Sequence, residues 1–347
     1  MAAMDPAAAG VAAPASAATG SAAPATSAHG LPASRRVPSD GSPIDVALCC
    51  EHPEAATWQA MLAGLLPGVR LHAWPTACPD ARAAIVWSPS QAFFDAHPRL
   101  EVVFNMGAGV DAILKLKLPA GARIVRIEDG GMAVQMAEYA CHALFRHVRE
   151  FDVYDAERAA GNWAPRPARM RQDFPVGVMG LGALGSVVAR SVAGFGYPVL
   201  GWSHSQKHID GVTCYAGDAL DDFLAGTRVL ICVLPLTPAT RGILRRETLS
   251  RLRPQGYVIN MARGAHLVED DLLALLDQGA LAGAALDVMQ TEPLPAGHPF
   301  WTHPRIRFTP HISAQTIVAE AIAQMAPRIA AWQRGEDVGG VDAAKGY

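Results

Sequence analysis

An apolar run over residues 174–179 passes without a spacer into Gly180-Leu181-Gly182-Ala183-Leu184-Gly185, and a helix opens at Leu184. A strand that turns into a helix through glycines at this spacing has few architectures open to it. The helix packs back on the sheet, and the next strand runs parallel to the first. The same grammar runs through the chain from Pro43 onward. Residues 44–50 read as a strand and 54–66 as a helix stopped by Pro67-Gly68. Short apolar runs over 69–74, 83–87, 100–106 and 122–127 follow, separated by turn residues. A long helix is expected over 132–158, broken by Gly161-Asn162 and the prolines at 165 and 167. Beyond the strand at 174–179, a second series of strands lies at 198–202, 228–234, 256–261, 284–288 and 306–309. Val268, Leu272, Leu275 and Leu276 form one apolar helix stripe between two of them, capped at Gly279.

This alternation predicts an α/β chain of two domains, each built on a parallel sheet. The expected boundaries are 43–143 plus 317–347 for the first, discontinuous domain and 144–316 for the second. The discontinuity follows from the last helix, 316–334, which has no strand after it in the second series and returns to the first.

Residues 1–42 differ in kind. They are rich in Ala, Pro, Ser and Gly without hydrophobic periodicity, and are expected to be a disordered extension. The basic start and continuous apolar stretch of a secretory signal are both missing there. A formal net charge of −3 argues against nucleic-acid and membrane-surface partners, which favour a basic stripe. None of the six cysteines forms a C-x-x-C pair, which reads as a reducing cytoplasm rather than a disulfide framework or a zinc site.

By itself the glycine turn is a weak signal. Between a strand and a helix it becomes a dinucleotide cradle, because glycine lets a pyrophosphate approach the helix N-terminus, where free N–H groups attract anions. Gly180, Gly182, Ala183, Leu184 and Gly185 are therefore cofactor-binding candidates. The next strand ends in Ser203-His204-Ser205-Gln206-Lys207, with Ser203 where an acid usually meets the ribose hydroxyls of NAD. No carboxylate follows before Asp210, and His204, Ser205 and Lys207 are donors available to a 2′-phosphate. This favours NADPH, with NADH as the alternative. The plainer reading is a solvated polar turn.

Three further residues follow strand-like runs: Arg263, Glu292 and His311. Reducing a 2-keto acid needs a cation for the carboxylate and an acid for the ketone oxygen. It also needs a group that keeps the acid charged. Arginine, histidine and a neighbouring carboxylate fit these roles. Singly, each has a duller reading: a turn cap, a surface Glu-Pro turn and a structural histidine. Together at strand ends, downstream of the cradle, they form a candidate catalytic set. No spacing suggests a metal site.

The chain resembles the D-isomer-specific 2-hydroxyacid dehydrogenases, most closely the glyoxylate/hydroxypyruvate reductase A branch, over about residues 44–347. Beside the glycine turn, the motifs that carry the resemblance are Asn105-Met106-Gly107-Ala108-Gly109-Val110-Asp111, Glu128-Asp129-Gly130-Gly131-Met132 and Leu234-Pro235-Leu236-Thr237-Pro238. Others are Ala262-Arg263-Gly264, Val268-Glu269-Asp270-Asp271-Leu272, Leu286-Asp287-Val288, Glu292-Pro293-Leu294-Pro295 and Thr309-Pro310-His311. The ending from Val341-Asp342 to Gly346-Tyr347 also matches.

The resemblance implies a Rossmann-like cofactor domain and a flavodoxin-like substrate domain around a cleft. It implies that Arg263 binds the substrate carboxylate and carbonyl, that His311 is the general acid/base and that Glu292 is its partner. The backbone of Gly107, Ala108 and Gly109 would hold the carboxylate, with Trp87 and Met106 shaping the pocket. Asp287 would help hold the nicotinamide, and Leu234, Pro235, Met261, Ala262 and His311 join the cofactor-contacting positions. A homodimer is implied as well. Two departures stand out: the turn at His204-Ser205-Gln206-Lys207 lacks the arginines frequent in the branch, and the Ala/Pro-rich start is foreign to it. The expected activity is NAD(P)H-dependent reduction of glyoxylate and hydroxypyruvate. The alternatives are a bulkier 2-keto acid such as phenylpyruvate, or a dinucleotide-sensing corepressor.

Overall fold

A computed structural model describes residues 43–50 and 55–342. The Ala/Pro-rich extension, the expected helix start at Glu54 and the terminal Gly346-Tyr347 lie outside the described residues. The first lobe runs β1 (Ile44–Cys50), α1 (Ala55–Leu65), β2 (Val69–Ala73), β3 (Ala83–Trp87), α2 (Gln91–Asp95), β4 (Val102–Asn105) and β5 (Arg123–Arg126). Helices α3 (Met132–Val148) and α4 (Phe151–Ala159) lead to the second lobe. That lobe runs β6 (Val176–Met179), α5 (Ala183–Gly194), β7 (Val199–Ser203), β8 (Val212–Ala216), α6 (Leu220–Gly226) and β9 (Val229–Cys232). It continues with α7 (Arg246–Leu249), β10 (Gly256–Asn260), α8 (Glu269–Asp277), β11 (Leu281–Leu286) and β12 (Ile306–Phe308), and the chain returns through α9 (Val318–Gln333).

Every strand pairing within these sheets is parallel. The first sheet has the order β2-β1-β3-β4-β5 and the second β12-β11-β10-β9-β6-β7-β8. These are the flavodoxin-like and Rossmann-like orders, and each reverses direction at a switch point, β1/β3 and β6/β9. Both faces of each sheet are buried, so strands read as continuous apolar runs. Along β9, Val229 and Ile231 face a core shared with α3 and α5, while Leu230 and Cys232 face one shared with α6 and α8. In the first lobe α9 packs Ile322, Met325 and Ile329 against Val46, Ile85 and Phe104.

Two expectations need correction. The single helix over 132–158 is two helices, because Glu150 takes a left-handed φ of 55° between α3 and α4 and its carboxylate accepts from Arg166 and Arg169. Strand β8 was absent from the sequence reading: its pattern Val-Thr-Cys-Tyr-Ala is half exposed at the sheet edge and lacks a continuous apolar run.

His147 of α3 stacks on Tyr257 of β10 with ring centroids 4.1 Å apart, and meets Phe174 edge-on. Burial, with Arg169 and Arg228 nearby, pulls its imidazole down from 6.5 to about 4. The folded protein therefore holds this ring neutral, while the unfolded chain takes up a proton below about pH 6.5. This contribution to stability is complete above that pH and is lost as the pH falls toward the folded value. Urea midpoints are expected to drop between about pH 7 and about pH 5, and His147→Phe should flatten part of that drop. Identical pH slopes in the two proteins would refute the assignment.

Candidate active site

Strand register gathers the site residues. Trp202, Met179, Cys232, Asn260, Leu286 and Phe308 pair in one row across β7, β6, β9, β10, β11 and β12. The next residue on five of these strands leaves the sheet at one edge, Gly180, Val233, Met261, Asp287 and Thr309, while Ser203 makes the last pair of β7, with Ala216 of β8. Open α/β sheets present their ligand crevice at this carboxyl edge.

Arg263 follows β10 in extended backbone, with φ −143°. Its Nη1 donates to the Ala262 carbonyl at 2.7 Å, and its Nε donates to Asp111 of the first lobe at 3.1 Å. Its Nη2 occupies the space a Cβ on Gly109 would take, so the guanidinium packs against that glycine. Behind it, Asn260 donates to the Arg263 carbonyl and accepts from the Ala262 amide. Gly264 is required by close approach: a Cβ there would overlap the Met289 carbonyl and the Gln290 nitrogen. The Arg263 turn is thus pressed onto the turn that carries Glu292.

Glu292 bridges two groups. Its Oε1 accepts from the Met289 amide at 2.9 Å, and its Oε2 lies 2.8 Å from His311 Nδ1. With Nδ1 committed to Glu292, the ring's other nitrogen, Nε2, is the one left for a ligand. His311 has a left-handed φ of 54°, unfavourable by about 1 kcal/mol for a side-chain-bearing residue. A dense set of bonds enforces it. The His311 amide donates to the Asp287 and Thr309 carbonyls. The buried Asp287 carboxylate accepts from Thr309 Oγ1 at 2.6 Å and from the amides of Ile312 and Ser313 at 2.8 Å each. Because the Thr309 hydroxyl donates to Asp287, it accepts from Tyr139 Oη at 2.8 Å. Burial pushes that phenol up to about 12. Asp287 is thus placed here as the fastener of the His311 loop.

The glycine turn fits a dinucleotide. A Cβ on Gly185 would strike the Gly180 carbonyl, and one on Gly180 would strike Val233 of the neighbouring loop. A Cβ on Gly182, by contrast, meets nothing within 4 Å at the N-terminus of α5, next to the exposed Ala183. The turn is closed on its protein side and open on the other, as a pyrophosphate site requires. Leu184 packs into the cores of both lobes. In the turn after β7, Ser203 is buried and donates to the Ser205 carbonyl at 2.8 Å, while His204, Ser205 and Lys207 are exposed. The sequence candidates therefore separate into one hydroxyl that shapes the turn and three residues that face solvent. Leu234, Met261 and Ala262 are buried at their strand ends, and Pro235 is exposed.

In the first lobe, Asn105 Nδ2 donates to the carbonyls of Gly107 and Gly109 at 2.8 and 3.1 Å. Both carbonyls are engaged, whereas the amides of Gly107, Ala108 and Gly109 make no hydrogen bond among the described residues. The Trp87 ring lies 3.9 Å from the Cβ position of Gly107, and Met106 is buried beneath the loop.

The description "D-isomer specific 2-hydroxyacid dehydrogenase, NAD binding domain" matches residues 141–313. Glyoxylate/hydroxypyruvate reductase A of Serratia proteamaculans is 45% identical over 307 residues, covering 85% of this chain and 98% of that protein. A D-isomer specific 2-hydroxyacid dehydrogenase of Xanthobacter autotrophicus Py2, solved with NADPH and MES, is 35% identical with a TM-score of 0.81. The match covers 87% of this chain and 99% of that one. The NADPH-dependent glyoxylate/hydroxypyruvate reductase of Sinorhizobium meliloti, solved with NADP and sulfate, is 33% identical with a TM-score of 0.82, covering 88% and 100%. The chain belongs to the D-isomer specific 2-hydroxyacid dehydrogenase family.

For this 2-hydroxyacid dehydrogenase, sequence reasoning missed the partners of its site residues. Asp111 was visible in the Asn105–Asp111 motif without a role, because its ion pair with Arg263 spans 152 residues. His266, Asn260 and Tyr139 carried no local signal. Among the described residues, Asp45, His72 and Cys78 bring donor atoms within 4.8 Å of one another. Asp45 Oδ1 already accepts from Arg70 Nε at 2.6 Å and contacts His72 at 2.7 Å, so a fixed cation sits on that oxygen.

Gly264→Ala forces two backbone segments apart. It is expected to destabilise the dehydrogenase by about 2 kcal/mol or more, typical of overpacking, read as a thermal midpoint lowered by several degrees. An unchanged melt would contradict the close approach.

Proposed function

We propose that the protein is an NADPH-dependent reductase of small 2-keto acids, converting glyoxylate to glycolate and hydroxypyruvate to glycerate. The observation that carries this reading is the 2.8 Å Glu292–His311 pair, set at the same sheet edge as Arg263 and the glycine turn. The second-sheet lobe is read as the NAD(P) domain and the first-sheet lobe as the substrate domain. Gly180, Gly182 and Gly185 with the N-terminus of α5 would hold the pyrophosphate. His204, Ser205 and Lys207 would meet the 2′-phosphate, favouring NADPH as in the two relatives solved with that cofactor. When bound, the nicotinamide supplies the hydride to the keto carbon.

The chain's own residues do the rest. The amides of Gly107, Ala108 and Gly109 take the substrate carboxylate, and Arg263 Nη2 bridges carboxylate and carbonyl. His311 Nε2 delivers its proton to the carbonyl oxygen as hydride arrives, and takes it back in the reverse direction. Glu292 holds the ring through Nδ1 and stabilises the imidazolium. Trp87 and Met106 limit the pocket to small acids. The six cysteines, with no C-x-x-C pair among them, fit a reducing cytoplasm, and among the described residues no helix is long and apolar enough to cross a membrane.

The protein is also read as a homodimer. The segment between α4 and β6 exposes Trp163 at 99% and Met170 at 62%, near exposed Phe151 and Tyr154 on α4. Apolar side chains concentrated in this way mark a protein contact, and a second copy of the chain is the occupant proposed. Light scattering is expected at twice the 36.6 kDa chain mass, and Trp163→Asp should shift the species toward monomer. A monomeric wild-type protein would reject this part.

The activity is tested by following NADPH and NADH oxidation separately with glyoxylate, hydroxypyruvate, pyruvate and phenylpyruvate. The first two acids with NADPH should be the best pairs. His311→Ala should lower turnover by roughly 10²–10⁴ while leaving NADPH binding, seen by nicotinamide fluorescence, near wild type. Arg263→Ala should raise the Michaelis constant for the acid and lower turnover. Phenylpyruvate as the best substrate would overturn the small-acid assignment.

A further inference from the structure

His266 is fully buried, at 0% exposure, three residues beyond Arg263. Its ring touches two different loops. Nδ1 lies 3.2 Å from the Arg263 amide and 3.1 Å from the Arg263 carbonyl, and Nε2 lies 3.3 Å from the Pro235 carbonyl. One protonation state satisfies all of these groups. With the proton on Nε2, the ring donates to Pro235 and Nδ1 accepts from the Arg263 amide. The Arg263 carbonyl is served independently by Asn260 Nδ2 and by the His266 amide, both at 3.1 Å. With the proton on Nδ1, the Arg263 amide would face an N–H, and Nε2 would face a carbonyl without a proton between them. An imidazolium would keep the first of these clashes and add a buried charge.

The ring therefore joins two loops with different tasks. One carries Arg263, whose guanidinium direction follows from its backbone. The other begins at Leu234-Pro235 after β9, beside the glycine turn, where the Pro235 carbonyl also takes the Thr240 hydroxyl at 2.7 Å. We infer that His266 is a positioning residue for the reductase reaction: its neutral, Nε2-protonated ring sets the Arg263 backbone from one side and the Pro235 loop from the other. The inference rests on the reductase reading above. It assigns His266 no contact with substrate.

Two near-isosteric variants separate the two bonds. Asparagine places an acceptor near the position of Nδ1 and has nothing to reach Pro235. Glutamine places a donor near Nε2 and has no acceptor for the Arg263 amide. Steady-state kinetics with NADPH and glyoxylate should then split. His266→Gln is expected to raise the Michaelis constant for glyoxylate about three- to tenfold and to lower turnover, with that for NADPH nearly unchanged. His266→Asn is expected to do the reverse, shifting the NADPH constant and sparing that for glyoxylate. His266→Leu should combine both losses, and if it fails to fold, the Asn and Gln pair carries the test. Folded Asn and Gln variants that leave both constants unchanged, or that raise both alike, would overturn the inference, because a merely structural histidine predicts one of those patterns.

If the wild-type protein binds NADPH but reduces none of the acids, the reductase reading fails by itself. The ring's role is then judged in the intact chain by histidine-selective ¹⁵N spectra, with the His266 signals identified by their loss in His266→Asn. A bare Nδ1 and a protonated Nε2 that persist near neutral pH support the two-loop bridge; a protonated Nδ1 overturns it.

Discussion

A buried carboxylate is unfavourable unless donors surround it, and Asp287 has found its donors within five residues of His311. Thr309 Oγ1 and the amides of Ile312 and Ser313 bond the two oxygens, while the Asp287 carbonyl takes the His311 amide. The Asp287 amide makes the last ladder bond to Asn260 of β10. Hydrogen bonds to a charged group contribute about 1.5–3 kcal/mol each, enough to outweigh the left-handed backbone that His311 adopts. That backbone turns the imidazole toward Glu292. Through Thr309 and Tyr139 the same carboxylate is also tied to α3, the helix that packs across the second sheet. Without Asp287 the Thr309–Ser313 turn would lose the acceptor that closes it, and the Glu292–His311 pair would lose its geometry.

The cation of the site is held by other means. Arg263 has its guanidinium braced by Ala262 and Asp111 and its backbone bonded by Asn260 and His266. The Asp111 pair is partly exposed, at 34% and 23% for the two side chains, so its stabilising energy is small. Its weight is orientational: it links the two lobes and leaves Nη2 toward the Gly109 backbone. Donors fixed before the ligand arrives need no reorganisation during reaction. Gly264 adds to this by letting the Arg263 and Glu292 turns touch through backbone alone. Arg263 and the Glu292–His311 pair are thereby held through two turns that share one contact.

Both halves depend on the parallel register. Five paired residues close β6, β9, β10, β11 and β12 in one row, with Trp202 of β7 alongside, and the candidate site residues follow beyond them. The first lobe meets this edge with the Asn105–Asp111 loop. The carbonyls of Gly107 and Gly109 are gathered by Asn105, and the amides of Gly107, Ala108 and Gly109 make no hydrogen bond among the described residues.

Much of this could be read in the chain before folding was considered. The strand-to-glycine-to-helix junction at Gly180–Gly185 dictated a parallel α/β sheet, because glycine spacing and apolar periodicity are local properties. Arg263, Glu292 and His311 were legible because each directly follows such a run. Strand β8 was not, since an edge strand with one exposed face carries no continuous apolar signal. The break at Glu150 escaped notice for another reason: a left-handed residue held by Arg166 and Arg169 depends on side chains that lie 16 and 19 positions away. Asp111, His266 and Tyr139 make their contacts only when the lobes and loops come together, with partners 152, 31 and 170 positions away. Asp287 shows the division most clearly. Its place at a strand end is written in the sequence. Which groups its oxygens bind is decided by the packing of β11 against β12, because hydrogen bonds between segments depend on distance and direction that no local pattern encodes.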